Sequence, residues 1–182
     1  MVHTFKNAYD AISAYWSSIG STRHQLAQTV IQTYALSSSP LDILGVAYAY
    51  SWEGASQRTN AISYFERFLE TNFRDYTSSN MEWTVFSTLA NLYEKEYIFE
   101  KAIACLKRLI TIDNSSNPAD FTRIGDILIK IDVNKAESYY LELLNSDKLR
   151  QHKRAFAYAY DDVMKKKEKG YVYKSRKKHS TV

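Results

Sequence analysis

Apolar residues recur along this chain at spacings of three and four. Phe5, Ala8, Ile12, Tyr15 and Trp16 form one such series, and Leu26, Val30, Ile31 and Tyr34 another. That period belongs to amphipathic helices. The pattern predicts nine of them, near residues 4–18, 22–36, 40–51, 57–70, 81–95, 98–111, 118–130, 133–145 and 149–169. Two starts carry the same chemistry. In Ser39-Pro40-Leu41-Asp42 the serine is placed to accept from an orphan N–H. Pro40 gives up no needed donor, and Asp42 sits at the positive end of the helix. Asn117-Pro118-Ala119-Asp120 repeats that arrangement. Gly170 follows a lysine-rich last turn and predicts a left-handed stop to the final helix.

Self-comparison adds a second, longer period. Leu44-Gly45-x-x-Tyr48, Leu89-Ala90-x-x-Tyr93 and Ile124-Gly125-x-x-Leu128 each set a small residue after a large one, with another large residue three further on. Each is followed by a second signature: Ala61-x-x-x-Phe65, Ala102-x-x-x-Leu106 and Ala136-x-x-x-Tyr140. Small side chains at fixed places on paired helices let the backbones approach, and the large ones fill the space around them. One helix pair cannot bury its apolar face alone, so neighbouring pairs must stack. The expected copies are 39–70, 83–114 and 118–145, with 4–36 a degenerate fourth pair that does not align. Phe156, Ala159, Tyr160 and Val163 give 149–169 the inner stripe of a capping helix. Arg150, Lys153, Arg154 and Asp161 are expected to face outward.

This spacing resembles the tetratricopeptide repeat family. The resemblance implies an all-α fold, an α-α superhelix of stacked antiparallel helix pairs over residues 1–164; the competing reading is a closed helical bundle. In such a superhelix the first helix of each pair lines a concave groove. Carried over by position, the groove takes Asp42 and Tyr50 from the first copy. The second adds Thr84, Ser87, Asn91, Glu94 and Lys95, and the third Thr122, Arg123, Asp126 and Lys130. Some members clamp the C-terminal carboxylate of a partner with Lys, Asn, Asn, Lys and Arg. Here Asn91 and Arg123 match two of those five, while Thr88 and Ala119 occupy two others. The implied function is a non-catalytic scaffold or adaptor for a protein or peptide partner. A peptide-sensing regulatory module is a further alternative.

Composition sharpens this in places. The chain has 182 residues with only two prolines and five glycines, which favours long helices over a loop-rich β fold. Its +4 net charge is uneven. From residue 164 on, Lys165, Lys166, Lys167, Lys169, Lys174, Arg176, Lys177 and Lys178 face a single acid, Glu168, and the body before them is mildly acidic. Residues 165–182 therefore read as a basic, disordered tail. Tyr171 and Tyr173 lie among its cations, which is the composition of a weak binder of nucleic acid. The alternative function is accordingly a nucleic-acid- or ribosome-associated protein acting through that tail.

Catalytic and cofactor motifs are missing. The four histidines are never paired at i, i+4, the glycines never cluster, and no nucleophile elbow occurs. Cys105, the one cysteine, falls on an apolar face and reads as a core thiol; it supplies neither a disulfide nor a metal cluster. No metal, cofactor or enzymatic activity is expected. Trp16 and Trp83 read as core residues, and Trp52, beside Glu53-Gly54, as core or ligand anchor. With no secretory signal at Met1–Asp10 and no window apolar enough to span a membrane, the expected location is the cytoplasm.

Overall fold

The computed structural model describes residues 5–14, 16, 20–76, 78–112 and 118–170, apart from the side chains of Pro118 and Lys148. The described residues are helical and contain no strand. They form α1 (Ala8–Ala14), α2 (Ser21–Tyr34), α3 (Pro40–Trp52), α4 (Arg58–Leu69) and α5 (Ser79–Lys95). These are followed by α6 (Phe99–Ile112), α7 (Pro118–Ile131), α8 (Val133–Asn145) and α9 (Lys153–Glu168). The chain divides into two compact units, Met1–Glu96 and Tyr97–Val182. The helices read as the second repeat copy, α5 and α6, fall in different units.

In the first unit α3 is the centre, packed by α1, α2 and α4. Its residues from Ile43 to Ala49 are all buried, as expected of a helix apolar on every side. Gly45 is where α1 crosses α3: a Cβ there would lie 2.3 Å from the Ala8 carbonyl carbon and 2.5 Å from the Tyr9 nitrogen. The pattern assigned Gly45 to contact with the second helix of its own pair; the structure gives the contact to α1. On the α4 side Tyr48 meets Phe65 edge to face at 4.9 Å. Two polar side chains of α4 serve the chain after α2, where carbonyls lack helical partners. Tyr64 donates to Ala35 O at 2.9 Å and Arg67 Nη2 to Ser37 O at 2.8 Å.

Ser39 has the extended backbone of an N-cap but makes no side-chain cap bond. Asp42 is committed elsewhere, so it does not face an open groove. Its Oδ1 accepts from the Ala8 N–H at 2.8 Å and its Oδ2 from the Ser37 hydroxyl at 2.7 Å. One carboxylate thus accepts from an orphan N–H at the start of α1 and ties the α2–α3 turn. At α5 the cap is formed: Ser78 accepts from the Met81 N–H at 3.3 Å. Just beyond α5 Tyr97 takes the left-handed conformation, φ 63°, where a helix C-terminus usually spends a glycine.

In the second unit α7 packs on α6, α8 and α9, and α8 on α9. Phe121, Ile129, Ala136, Tyr140, Leu143, Phe156 and Val163 form its core. Here the small residue does face its pair partner: a Cβ on Gly125 would fall 2.1 Å from the Tyr140 hydroxyl. That hydroxyl donates to Thr122 O at 3.1 Å, so the ring is pinned across α7 by its own bond. Asp132 caps α8 by accepting from the Asn134 N–H at 2.9 Å. The capping-helix stripe is seated as expected, with Phe156 and Val163 fully buried and Ala159 and Tyr160 partly so. The helix starts at Lys153, however, because Asp147–His152 is a 3₁₀ segment interrupted at Leu149 (φ −111°, ψ 19°). Gly170 is left-handed (φ 61°), as its position predicts.

Burial pushes Tyr48, Tyr139 and Tyr140 well above the ordinary tyrosine pKa, with neighbouring Tyr9, Tyr140 and Asp126 adding smaller upward pushes respectively. A phenol that stays neutral in the fold but ionises in the unfolded chain stabilises the fold fully only below the unfolded pKa of about 10. That contribution is lost as pH rises from about 10 toward the folded values. Urea unfolding should therefore show stability falling above pH 10, by up to about 1.4 kcal/mol per pH unit for each such tyrosine. A flat profile from pH 9.5 to 11.5 would contradict the burial of these hydroxyls.

Candidate cleft in the first unit

An open cleft of about 370 Å³ lies within the first unit, lined by Trp16, Arg23, Tyr48, Ser51, Trp52, Thr88, Asn91, Leu92 and Lys95. The volume is at the lower end of ligand-binding clefts. Four segments build it: Trp16 beyond the end of α1, the first turn of α2, the last two turns of α3, and the C-terminal half of α5. The helical period sets which side chains arrive. Tyr48, Ser51 and Trp52 are three and four apart on α3, as are Thr88, Asn91 or Leu92, and Lys95 on α5, so each set shares one face.

Three aromatic rings form one wall. The Trp16 indole stands edge-on to Tyr48 at 4.9 Å and to Trp52 at 6.0 Å. The Arg23 guanidinium lies 4.2 Å from the centre of the Trp52 ring, a close cation–π contact. Among the described residues that line this cleft there is no acid. Of the acids next in sequence to lining residues, Glu53 is occupied by His24 Nδ1 at 2.9 Å and Gln28 Nε2 at 2.6 Å, and Glu96 by Arg58 Nη1 at 3.2 Å. Burial lowers the pKa of Arg23.

Two buried polar atoms on this wall lack a hydrogen-bond partner: Arg23 Nε and the Tyr48 hydroxyl. Tyr48 is only 1% exposed. Thr88 is near enough to pull the Tyr48 pKa partly back. An unmade hydrogen bond at a buried group costs roughly 1–3 kcal/mol, so two together on one wall are a feature to account for. Two other depressions, about 400 Å³ at Thr71–Asp75 and about 390 Å³ along Asp132–Glu142, each have described lining residues from a single stretch of chain, and none of these is such a group.

Of the expected groove residues, Asn91 and Lys95 line the cleft. Tyr50 does not; it packs on Tyr64 with ring centres 5.4 Å apart. Thr84 gives its hydroxyl to Asn80 O at 2.8 Å, and Ser87 is half-buried on the same helix. Thr122, Arg123, Asp126 and Lys130 stand on α7 in the second unit. There Thr122 donates to Ala119 O at 3.1 Å and the Lys130 ammonium sits 5.9 Å from the Phe99 ring centre. Trp16 and Trp83, expected in the core, are 44% and 37% exposed. Trp16 lies beyond the end of α1, and Trp83 in the second turn of α5. Cys105 is buried, as its apolar face implied.

Part of the basic tail is helix rather than free chain. Lys165, Lys166 and Lys167 complete α9, where Lys166 pairs with Asp162 and Lys167 with Glu137. Lys174, Arg176, Lys177 and Lys178 lie outside the described residues. Among the described residues no group of three His, Cys, Asp or Glu is placed to hold a metal ion, and no helix is long and apolar enough to cross a membrane.

Arg23, Tyr48 and Ser51 are among the cleft residues that sequence reasoning missed, with Trp16 and Leu92. Tyr48 reads as a repeat-signature core residue, which it also is. Arg23 belongs to the pair that would not align with the repeat. No protein-family model matches the chain, and no curated protein matches it.

Proposed function

We propose that this chain is a non-catalytic binding module that takes a peptide or protein segment in the first-unit cleft. In this reading its helix pairs are of tetratricopeptide type, arranged as an α-α superhelix, and the protein works in the cytoplasm. The observation that carries the reading is the convergence of Trp16, Arg23, Trp52, Asn91 and Lys95 on one open cleft whose described lining residues include no acid. Aromatic rings and cationic or amide side chains on rigid helices suit extended polypeptide, whose carbonyls and carboxylates need donors and whose side chains need apolar surface. The repeat reading is supported by the signature contacts: Tyr48 on Phe65 between α3 and α4, and Gly125 beneath Tyr140 between α7 and α8.

The test is selection of binders from a random peptide library, followed by titration against the double variant Asn91→Ala, Lys95→Glu. Selected peptides should lose at least about tenfold in affinity, the scale of one charged hydrogen bond. The melting temperature should be unchanged. Equal binding to the folded double variant, or failure to select any peptide, would contradict the proposal.

A further inference from the structure

The two unpartnered groups give the cleft a chemical preference. Arg23 Nε can only donate, and the Tyr48 hydroxyl, kept neutral by burial, has a proton to donate as well. Beside them stand the Lys95 ammonium and the Ser51 and Thr88 hydroxyls, and none of the described lining residues is an acid. Ser51 already gives its hydroxyl to Tyr48 O at 2.7 Å, so the two orphans are the donors held in reserve. Leaving a donor unpaired in a packed interior lowers stability, and a site that binds an acceptor recovers the loss only when its ligand arrives.

We infer that the cleft recognises a carboxylate carried on an aromatic body. Arg23 Nε and the Tyr48 hydroxyl would take its two oxygens, and the Trp16–Trp52 wall its ring. Two donors match two carboxylate oxygens, whereas a phosphate group would bring three. The three-ring wall offers edge and face contacts to a flat apolar group. Both donors are covered in the ligand-free protein, so the Trp16 indole, the most exposed of the three rings at 44%, would swing aside to admit the ligand and then close on its ring. The inference rests on the cleft being a binding site. The same chemistry is offered by a free aromatic acid or by a peptide carrying an aromatic residue next to a carboxylate.

The experiment is calorimetric titration, with tryptophan fluorescence in parallel, of 3-phenylpropionate, its neutral amide and 3-phenylpropylamine. A hexapeptide ending in Phe, with a free or an amidated C-terminus, forms the second arm. The acid should bind at least tenfold more tightly than the amide, the amine not at all, and binding should shift the tryptophan emission. Tyr48→Phe and Arg23→Gln should each weaken the acid tenfold or more. Tyr48→Phe should at the same time hold or raise the melting temperature, because it removes an unpaired buried hydroxyl; a purely structural tyrosine would not separate the two readouts.

Tighter binding of the peptide acid than of 3-phenylpropionate assigns the carboxylate to a peptide, and the reverse assigns it to a free acid. Equal affinity for acid and amide, no measurable binding of either acid, or an unchanged Tyr48→Phe variant overturns the inference. Library peptides that need Asn91 and Lys95 but ignore the carboxylate would remove this inference and leave the binding module standing. Acid binding without any selectable peptide would do the opposite.

Discussion

Gly45→Ala should lower the stability of the protein by about 2 to 3 kcal/mol, although alanine is the better helix former by about 1 kcal/mol. The added methyl would sit 2.3 Å from the Ala8 carbonyl carbon and 2.5 Å from both the Ala8 Cβ and the Tyr9 nitrogen. Two of those three atoms are backbone, so α1 must move as a body, taking with it the Ala8 N–H bond to Asp42. Adding Ala8→Gly removes only the Cβ contact and should rescue the variant in part. Urea denaturation reads both effects. A Gly45→Ala midpoint equal to that of the parent would mean that α1 does not lie on α3 as described.

Phe156→Ala should cost about 4 kcal/mol, the range for emptying a fully buried phenylalanine site. The ring is completely buried in the core of the second unit. It meets Phe121 edge to face at 5.5 Å and His152 at 6.1 Å. Most of what remains to hold α9 is Val163, with Ala159 and Tyr160 beside it, and the ion pair of Lys167 with Glu137 at its far end. That pair is half-exposed and worth little by comparison. Phe156→Leu, which keeps most of the volume, should cost far less. Denaturation followed by circular dichroism checks both. A loss below 1 kcal/mol for the alanine variant would show that α9 is not anchored through this ring.

Much of the helical order could be read from local chemistry. Pro118 starts α7 and Val133–Asn145 is the span expected for α8, because proline at the first turn and Asp132 as a cap act within a few residues. The start of α9 could not be read this way. The helix was expected from residue 149, but Leu149 leaves the helical region, and only the 3₁₀ turn shows it. Trp16 misled for a related reason: it continues the spacing of α1 beyond the point where α1 ends at Ala14.

The cleft was half legible. Asn91 and Lys95 sit one turn apart on a helix whose repeat position implied an accessible face. Arg23 and Tyr48 carry no such mark. A tyrosine in a packing signature says nothing about whether its hydroxyl is satisfied. The partner of Arg23, Trp52, is twenty-nine positions away in the chain and reached only through the packing of α2 on α3. Gly45 makes the same point, since the need for a small residue was written in the pattern but the helix it admits was not.

The central claim is that a partner seats in the first-unit cleft, and the most direct measurement is nuclear magnetic resonance of the full chain titrated with a library-selected peptide. The largest shifts should fall on the indole N–H signals of Trp16 and Trp52, on the Asn91 side-chain amide and on the backbone around Lys95. Shifts confined to Arg123, Lys130 and the lysines from Lys165 onward, with both indoles unmoved, would contradict it.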